Sequence, residues 1–134
     1  MARYVIDAPT LLHVLDHDLR LDPRHQLVAP SRIRSEALEL MLRDVRQGSR
    51  TDKAARATHT QVTETKMRVL GDRASRGTAW SIARDRDWDT LRDAEYLAVT
   101  QLQADALVTV DPHLAAKAEG LVPLAPLEAL LTAT

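Results

Sequence analysis

Four acidic residues carry the chemistry that this sequence offers. Asp7 closes the short β-branched run Arg3-Tyr4-Val5-Ile6, and Asp111 follows the run Ala106-Leu107-Val108-Thr109-Val110. Asp93 opens a stretch in which Ala94, Leu97, Ala98 and Leu102 recur at helical spacing. At a helix start, the positive end of the backbone dipole favours a carboxylate. Glu36 falls between Ile33 and Ala37, at the edge of another helical apolar stripe. Taken alone, Glu36 reads as an ordinary exposed acid, and its competitor Glu39 points further toward solvent; its weight comes from company.

Carboxylates brought together from separate elements repel one another unless a cation fills the space between them. Hard divalent ions take carboxylate oxygens, and magnesium keeps several of its waters. Such an ion lowers the pKa of water and holds attacking and leaving oxygens in line at phosphorus. Acids without histidine or cysteine therefore suit phosphodiester cleavage better than peptide hydrolysis. Thr109 is placed to orient an acid from behind. Four unrelated surface acids are the competing reading of the same spacing.

Convergence of these acids requires a sheet whose strands end together. Residues 3–7 and 106–110 read as strands, the latter suited to burial on both faces. Residues 26–29 make a weaker strand stopped by Pro30, and Leu121-Val122 a final edge strand before Pro123. Helices are expected over residues 10–18, over 32–46 with Ser31 as N-cap, and over the polar stretch 52–70. The helix at 32–46 has Ile33, Ala37, Leu38, Met41, Leu42 and Val45 as its stripe. A helix over 74–84 is broken by Gly77, with Trp80, Ile82 and Ala83 facing inward. Helices also follow Asp111 as far as Ala118, run on from Asp93, and cover residues 126–131. This order predicts an α/β fold: one domain over residues 1–134, its central parallel sheet of about four short strands flanked by helices. In open α/β sheets ligands bind at the carboxyl ends of the strands, where Asp7 and Asp111 stand.

Composition narrows the function classes. The 134 residues suffice for a real core. There are no cysteines, which removes disulfides, thiolate metal sites and cysteine nucleophiles, and which fits a reducing cytoplasm. The sequence contains no long apolar run, so no membrane span is expected. The net charge of −1 hides an asymmetry: residues 43–92 hold 12 Lys/Arg against 7 Asp/Glu, and the remainder 6 against 12. A basic middle joined to acidic ends suits a polyanion-binding rim around a metal-holding centre, although solvated helix faces give the same pattern. Tyr4, Tyr96, Trp80 and Trp88 are the only aromatics of the Phe, Tyr and Trp kind, too few for base-stacking platforms, so any nucleic acid is held by its phosphates and shape.

Two other patterns fall short of ligand sets. His13 and His17 lie one helical turn apart beside Asp16, without a third histidine or cysteine at zinc spacing. Asp85, Asp87 and Asp89 alternate like a calcium loop but lack its glycine and closing glutamate.

The stretches VIDAPTLL, PSRIRSEAL and RDAEYLAVTQLQADALVTVD, in that order, resemble the acidic motifs of the PIN domain. Within that family the chain is most similar to the VapC-type ribonuclease toxins of bacterial toxin–antitoxin pairs. The likeness runs through the closing GLVPLAPLEAL, and DAEYLA with LVTVD is its most specific part. The resemblance implies that Asp7, Glu36, Asp93 and Asp111 are the catalytic and metal-binding acids, with Thr109 as the hydroxyl near the last of them. It further implies Mg²⁺ or Mn²⁺ dependence, an RNA substrate, a homodimer and inhibition by a cognate VapB-like antitoxin. Pro9 departs from the pattern, since many relatives carry Ser, Thr or Asn there; Thr10 is the substitute hydroxyl. Two other classes compete: a PIN-like RNA-binding module with little turnover, and a receiver-like domain whose strand-end aspartate takes phosphate. The second needs a lysine near the acids, and the spacing of Lys53, Lys66 and Lys117 sets all three apart from them.

Overall fold

Strand and helix boundaries in the computed structural model, which describes residues 1–132, follow from where polar backbone groups find partners. The last two residues of the domain expected over 1–134 lie outside the described residues. In chain order the elements are β1 (Arg3–Ile6), α1 (Ala8–Asp16), β2 (Gln26–Pro30), α2 (Ile33–Gln47), α3 (Asp52–Glu64) and β3 (Arg68–Leu70). They continue with α4 (Arg73–Arg86), α5 (Arg92–Gln103), β4 (Ala106–Val108), α6 (Pro112–Ala118) and a 3₁₀ turn over Leu127–Leu130. The four strands form one parallel sheet in the order β3-β2-β1-β4. Val5 stands in register with Val28 on one side and Leu107 on the other.

Because side chains alternate across a strand, the sheet feeds two cores. On one face Val5, Val28 and Leu107 pack with Ile82 of α4, Leu97 of α5 and Leu114 of α6. On the other, Ile6, Leu27 and Val108 pack with Leu11 of α1, Ile33 and Met41 of α2, and Val62 of α3. The α/β architecture expected from the sequence, a parallel sheet between helical layers, is the one observed. Among the described residues no helix is long and apolar enough to cross a membrane.

The chain leaves β1 toward β2 and β3, then returns past β1 to place β4 on its other side. The connections that leave β1 and β4 at their carboxyl ends part to opposite faces, α1 joining one core and α6 the other. That gap at the carboxyl ends of the strands is the topological switch point, where open α/β sheets have room for a ligand.

Several boundaries differ from the expectations. The polar helix at 52–70 stops at Glu64, and Arg68–Leu70 forms the edge strand β3, parallel to β2. Its side chains are largely exposed, so no apolar run announced it. Leu121-Val122 is a turn; two residues later, Leu107 donates to the carbonyl of Pro123 and accepts from Ala125 N–H. Residues 123–125 thus cover the outer edge of β4, with an isolated bridge between Leu107 and Leu124. The expected terminal helix shortens to the 3₁₀ turn, which buries Leu130. The strand at 106–110 ends at Val108, since Val110 N–H goes to Thr10 instead of a ladder partner.

Ser31 does not cap α2. Arg32 holds the cap position without a side-chain hydrogen bond, and Ser31 N–H donates to Leu70 O, joining β2 to β3. Gly77 does not break α4, which runs through it; Trp80 faces outward at 61% exposure, whereas Ile82 and Ala83 are buried. Leu38, Leu42 and Leu102, placed on apolar stripes, are exposed at 41%, 59% and 45%. The buried faces of α2 and α5 are therefore narrower than the periodicity implied.

Candidate functional site

Asp7, Glu36, Asp93 and Asp111 line one cleft of about 280 Å³, together with Pro9, Arg32, Glu39, Arg43, Arg92 and Tyr96. The cleft sits at the switch point. Each acid is delivered by the end of an element: Asp7 after β1, Asp111 after β4, Glu36 in the first turn of α2, and Asp93 in the first turn of α5.

Asp7 is the most enclosed of the four, only 3% exposed. It caps α1, accepting Thr10 N–H at 3.3 Å on Oδ1. The Thr10 hydroxyl donates to the same oxygen and accepts Val110 N–H at 3.0 Å. On the other side, the Thr109 hydroxyl donates to Asp7 Oδ2 at 2.8 Å and accepts Asp111 N–H at 3.0 Å. Two threonine hydroxyls thus tie the end of β1 to the end of β4 through Asp7. Thr10 supplies the hydroxyl that Pro9 cannot. Burial pushes the Asp7 carboxyl above its ordinary value against the pull of these hydrogen bonds.

Asp111 caps α6, accepting His113 N–H at 2.9 Å. Capping is a structural task in its own right, so the two strand-end aspartates hold their helices whatever else they do. Glu36 accepts the Tyr96 hydroxyl at 3.1 Å on Oε2. Arg32 Nε lies 2.9 Å from Glu36 Oε1, off the hydrogen-bond direction, and this buried oxygen has no hydrogen-bond donor. Burial raises the Glu36 carboxyl above its ordinary value, with Tyr96 and Arg32 pulling the other way. Tyr96 is itself held far above the ordinary phenol range by burial and by Glu36 beside it. Arg32 also reaches Glu95, so it bridges α2 and α5.

Asp93 faces cations on both oxygens. Lys117 Nζ is 2.8 Å from Oδ2, and Arg92 Nε is 3.5 Å from Oδ1. This corrects the placement of Lys117, which sequence spacing set apart from the acids: from α6 its ammonium reaches Asp93. Arg32, Arg92, Tyr96 and Lys117 were missed as parts of the site. Two of them carried a helical signal, since Arg32 precedes Glu36 by four residues and Tyr96 follows Asp93 by three.

The donors suit a hard divalent ion, being five carboxylates on one cleft once the exposed Glu39 is counted. As they stand, no three His, Asp or Glu side chains among the described residues are gathered closely enough to hold one. Lys117 and Arg32 supply the neutralising charge instead. Elsewhere, Asp16 pairs with Arg50 at 2.7 Å, while His13 and His17 stack on each other with ring centroids 4.2 Å apart. Asp85 and Asp89 are exposed, and Asp87 ends α4 in the left-handed conformation.

No family model matches this chain, and no curated protein matches its sequence. Among solved structures, the chain is similar to the crystal structure of PAE2754 from Pyrobaculum aerophilum. The two are 25% identical, with a TM-score of 0.69 over 96% of this chain and 93% of the other.

Proposed function

We propose that this chain is a metal-dependent endoribonuclease of the PIN-domain, VapC-like kind. Its acids would work with Mg²⁺ or Mn²⁺ on RNA phosphodiester bonds, in a cytoplasmic homodimer inhibited by a cognate VapB-like antitoxin. The observation that carries the reading is the convergence of Asp7, Glu36, Asp93 and Asp111 from four elements onto one cleft at the switch point, with arginines at its edge. Surface acids without a common task have no reason to meet where a sheet leaves room for a ligand.

A divalent ion, when bound, would lower the pKa of a water and neutralise charge developing at phosphorus. Asp7 is held rigid by Thr10 and Thr109 and offers a fixed oxygen pair at the floor. Tyr96 fixes one oxygen of Glu36, and the other lies beside the Arg32 guanidinium. Asp93 and Asp111 close the sides. Arg43 and Arg92 are exposed on the cleft and suited to phosphate oxygens along an RNA backbone.

The test is cleavage of a labelled RNA with Mg²⁺ or Mn²⁺, before and after Asp93→Asn. Loss of a ligand carboxylate should slow cleavage at least about a hundredfold, and chelation should abolish it. Undiminished cleavage by the variant would sink the reading.

One observation favours the binding-module alternative: Asp93 and Glu36 already have protein cations beside them. In that case RNA would be retained without cleavage across a series of divalent ions. The phosphoacceptor reading gains a lysine in Lys117, but that lysine is paired with Asp93 and not with either strand-end aspartate.

A further inference from the structure

We propose that Lys117 is a tethered cation standing in for a divalent ion at Asp93, so that it must leave Asp93 before an ion can take that oxygen. The inference rests on the reading of Asp93 as an ion ligand. Lys117 projects from the short helix α6 and reaches α5, with Nζ 2.8 Å from Asp93 Oδ2. Its ammonium also lies 4.9 Å from the centroid of the Trp88 ring, in cation–π range. The Asp93 side chain is only 13% exposed and that of Lys117 38%, so water screens the pair incompletely.

An ammonium and a divalent ion cannot share one carboxylate oxygen without strong mutual repulsion. Lysine suits a part that has to move. It carries a point charge on a flexible four-carbon stem, whereas the planar fork of arginine binds a carboxylate in a fixed geometry. Trp88 gives the ammonium a second partner beside Asp93, so release from the carboxylate need not put it fully into solvent. In the ion-free chain Lys117 keeps a cluster of carboxylates from repelling itself apart, and it also lowers the affinity of the cluster for an ion. Lys117 is thus a positioning residue that sets how much Mg²⁺ or Mn²⁺ the cleft requires.

The test is Mn²⁺ binding to the full chain by calorimetry or by the electron paramagnetic resonance of free Mn²⁺, without RNA. Lys117→Met keeps an unbranched aliphatic side chain and removes the charge. It should tighten Mn²⁺ binding about two- to tenfold, the range expected for loss of one competing, partly screened charge. In the absence of metal the same variant should melt lower than the wild type. Lys117→Gln is the second variant should the first fold poorly, and it is expected to tighten binding likewise. Lys117→Arg should not tighten it. A lysine with a purely structural role would lower the melting temperature and leave Mn²⁺ affinity unchanged or weaker. If Lys117→Met and Lys117→Gln show that result while Asp93→Asn still weakens Mn²⁺ binding, this inference is overturned and the nuclease reading stands. If neither wild type nor the lysine variants bind Mn²⁺, both fall together.

Discussion

The hydroxyl of Thr109 does two things at once, donating to Asp7 and accepting from the backbone of Asp111. Thr109→Val keeps the shape and removes both bonds, leaving a buried carboxylate oxygen and an N–H without partners. Stability should fall by about 1–3 kcal/mol in urea denaturation. Divalent-ion affinity should drop roughly 10- to 100-fold, the usual consequence of losing a group that orients a ligand. Thr109→Ser should recover most of both, and a Val variant as tight for Mn²⁺ as the wild type would show the hydroxyl to be incidental. Asp7 makes a separate, pH-dependent prediction. Burial holds its carboxyl above the ordinary 3.8, so the folded chain binds that proton more tightly than the unfolded chain. The associated stability is fully present below the unfolded value and is lost as pH rises through the folded one. In chelator, the stability of wild type minus that of Asp7→Asn should therefore decline from roughly pH 4 upward and then level off. Taking the difference cancels contributions common to both chains, such as Asp22, held at about 2 by Arg24. A flat difference would contradict the burial argument.

At the scale of elements, the site depends on where helices begin. The strand-ending aspartates Asp7 and Asp111 cap α1 and α6, and Glu36 and Asp93 lie in the first turns of α2 and α5. Four helix starts, each favouring a negative charge, therefore face one another across the cleft. This partly offsets the repulsion among the acids. Away from the site, α4 carries Gly77 in mid-helix, where an added Cβ would meet nothing within 4 Å. Gly77→Ala should stabilise the protein by about 0.5–1 kcal/mol, because it removes backbone freedom from the unfolded chain and improves helix propensity. Thermal unfolding checks it; a lower melting temperature would mean that α4 is not a regular helix there.

Over the whole molecule, charge is divided between a negative centre and a basic middle sequence from which Arg43 and Arg92 reach the cleft. If they hold a phosphate backbone, the logarithm of RNA affinity of the Asp93→Asn protein should fall linearly with log salt, with a slope of about −0.7 per phosphate contacted on single strands. Arg43→Gln should weaken binding uniformly across sequences and reduce that slope by roughly one contact. An unchanged slope would remove Arg43 from the RNA path.

The sequence by itself determined the sheet's central strands, the helices around them and the four acids. Each of these has a local cause: β-branched runs at Val5-Ile6 and Leu107-Val108, helical apolar spacing around Glu36 and Asp93, and aspartates where the strands stop. The resemblance of its motifs grouped those acids before any coordinates did. Only the tertiary structure decided the strand order, which puts the switch point between β1 and β4 and makes one cleft of residues as far apart in sequence as Asp7 and Asp111. It also found β3 and the covering strip at residues 123–125, whose places are set by partners and not by their own side chains. Lys117, Arg32 and Tyr96 belong to the same class. A lysine six residues beyond Asp111 carries no mark of its target in the sequence, because its reach to Asp93 is fixed by the shared core that sets α6 beside the start of α5.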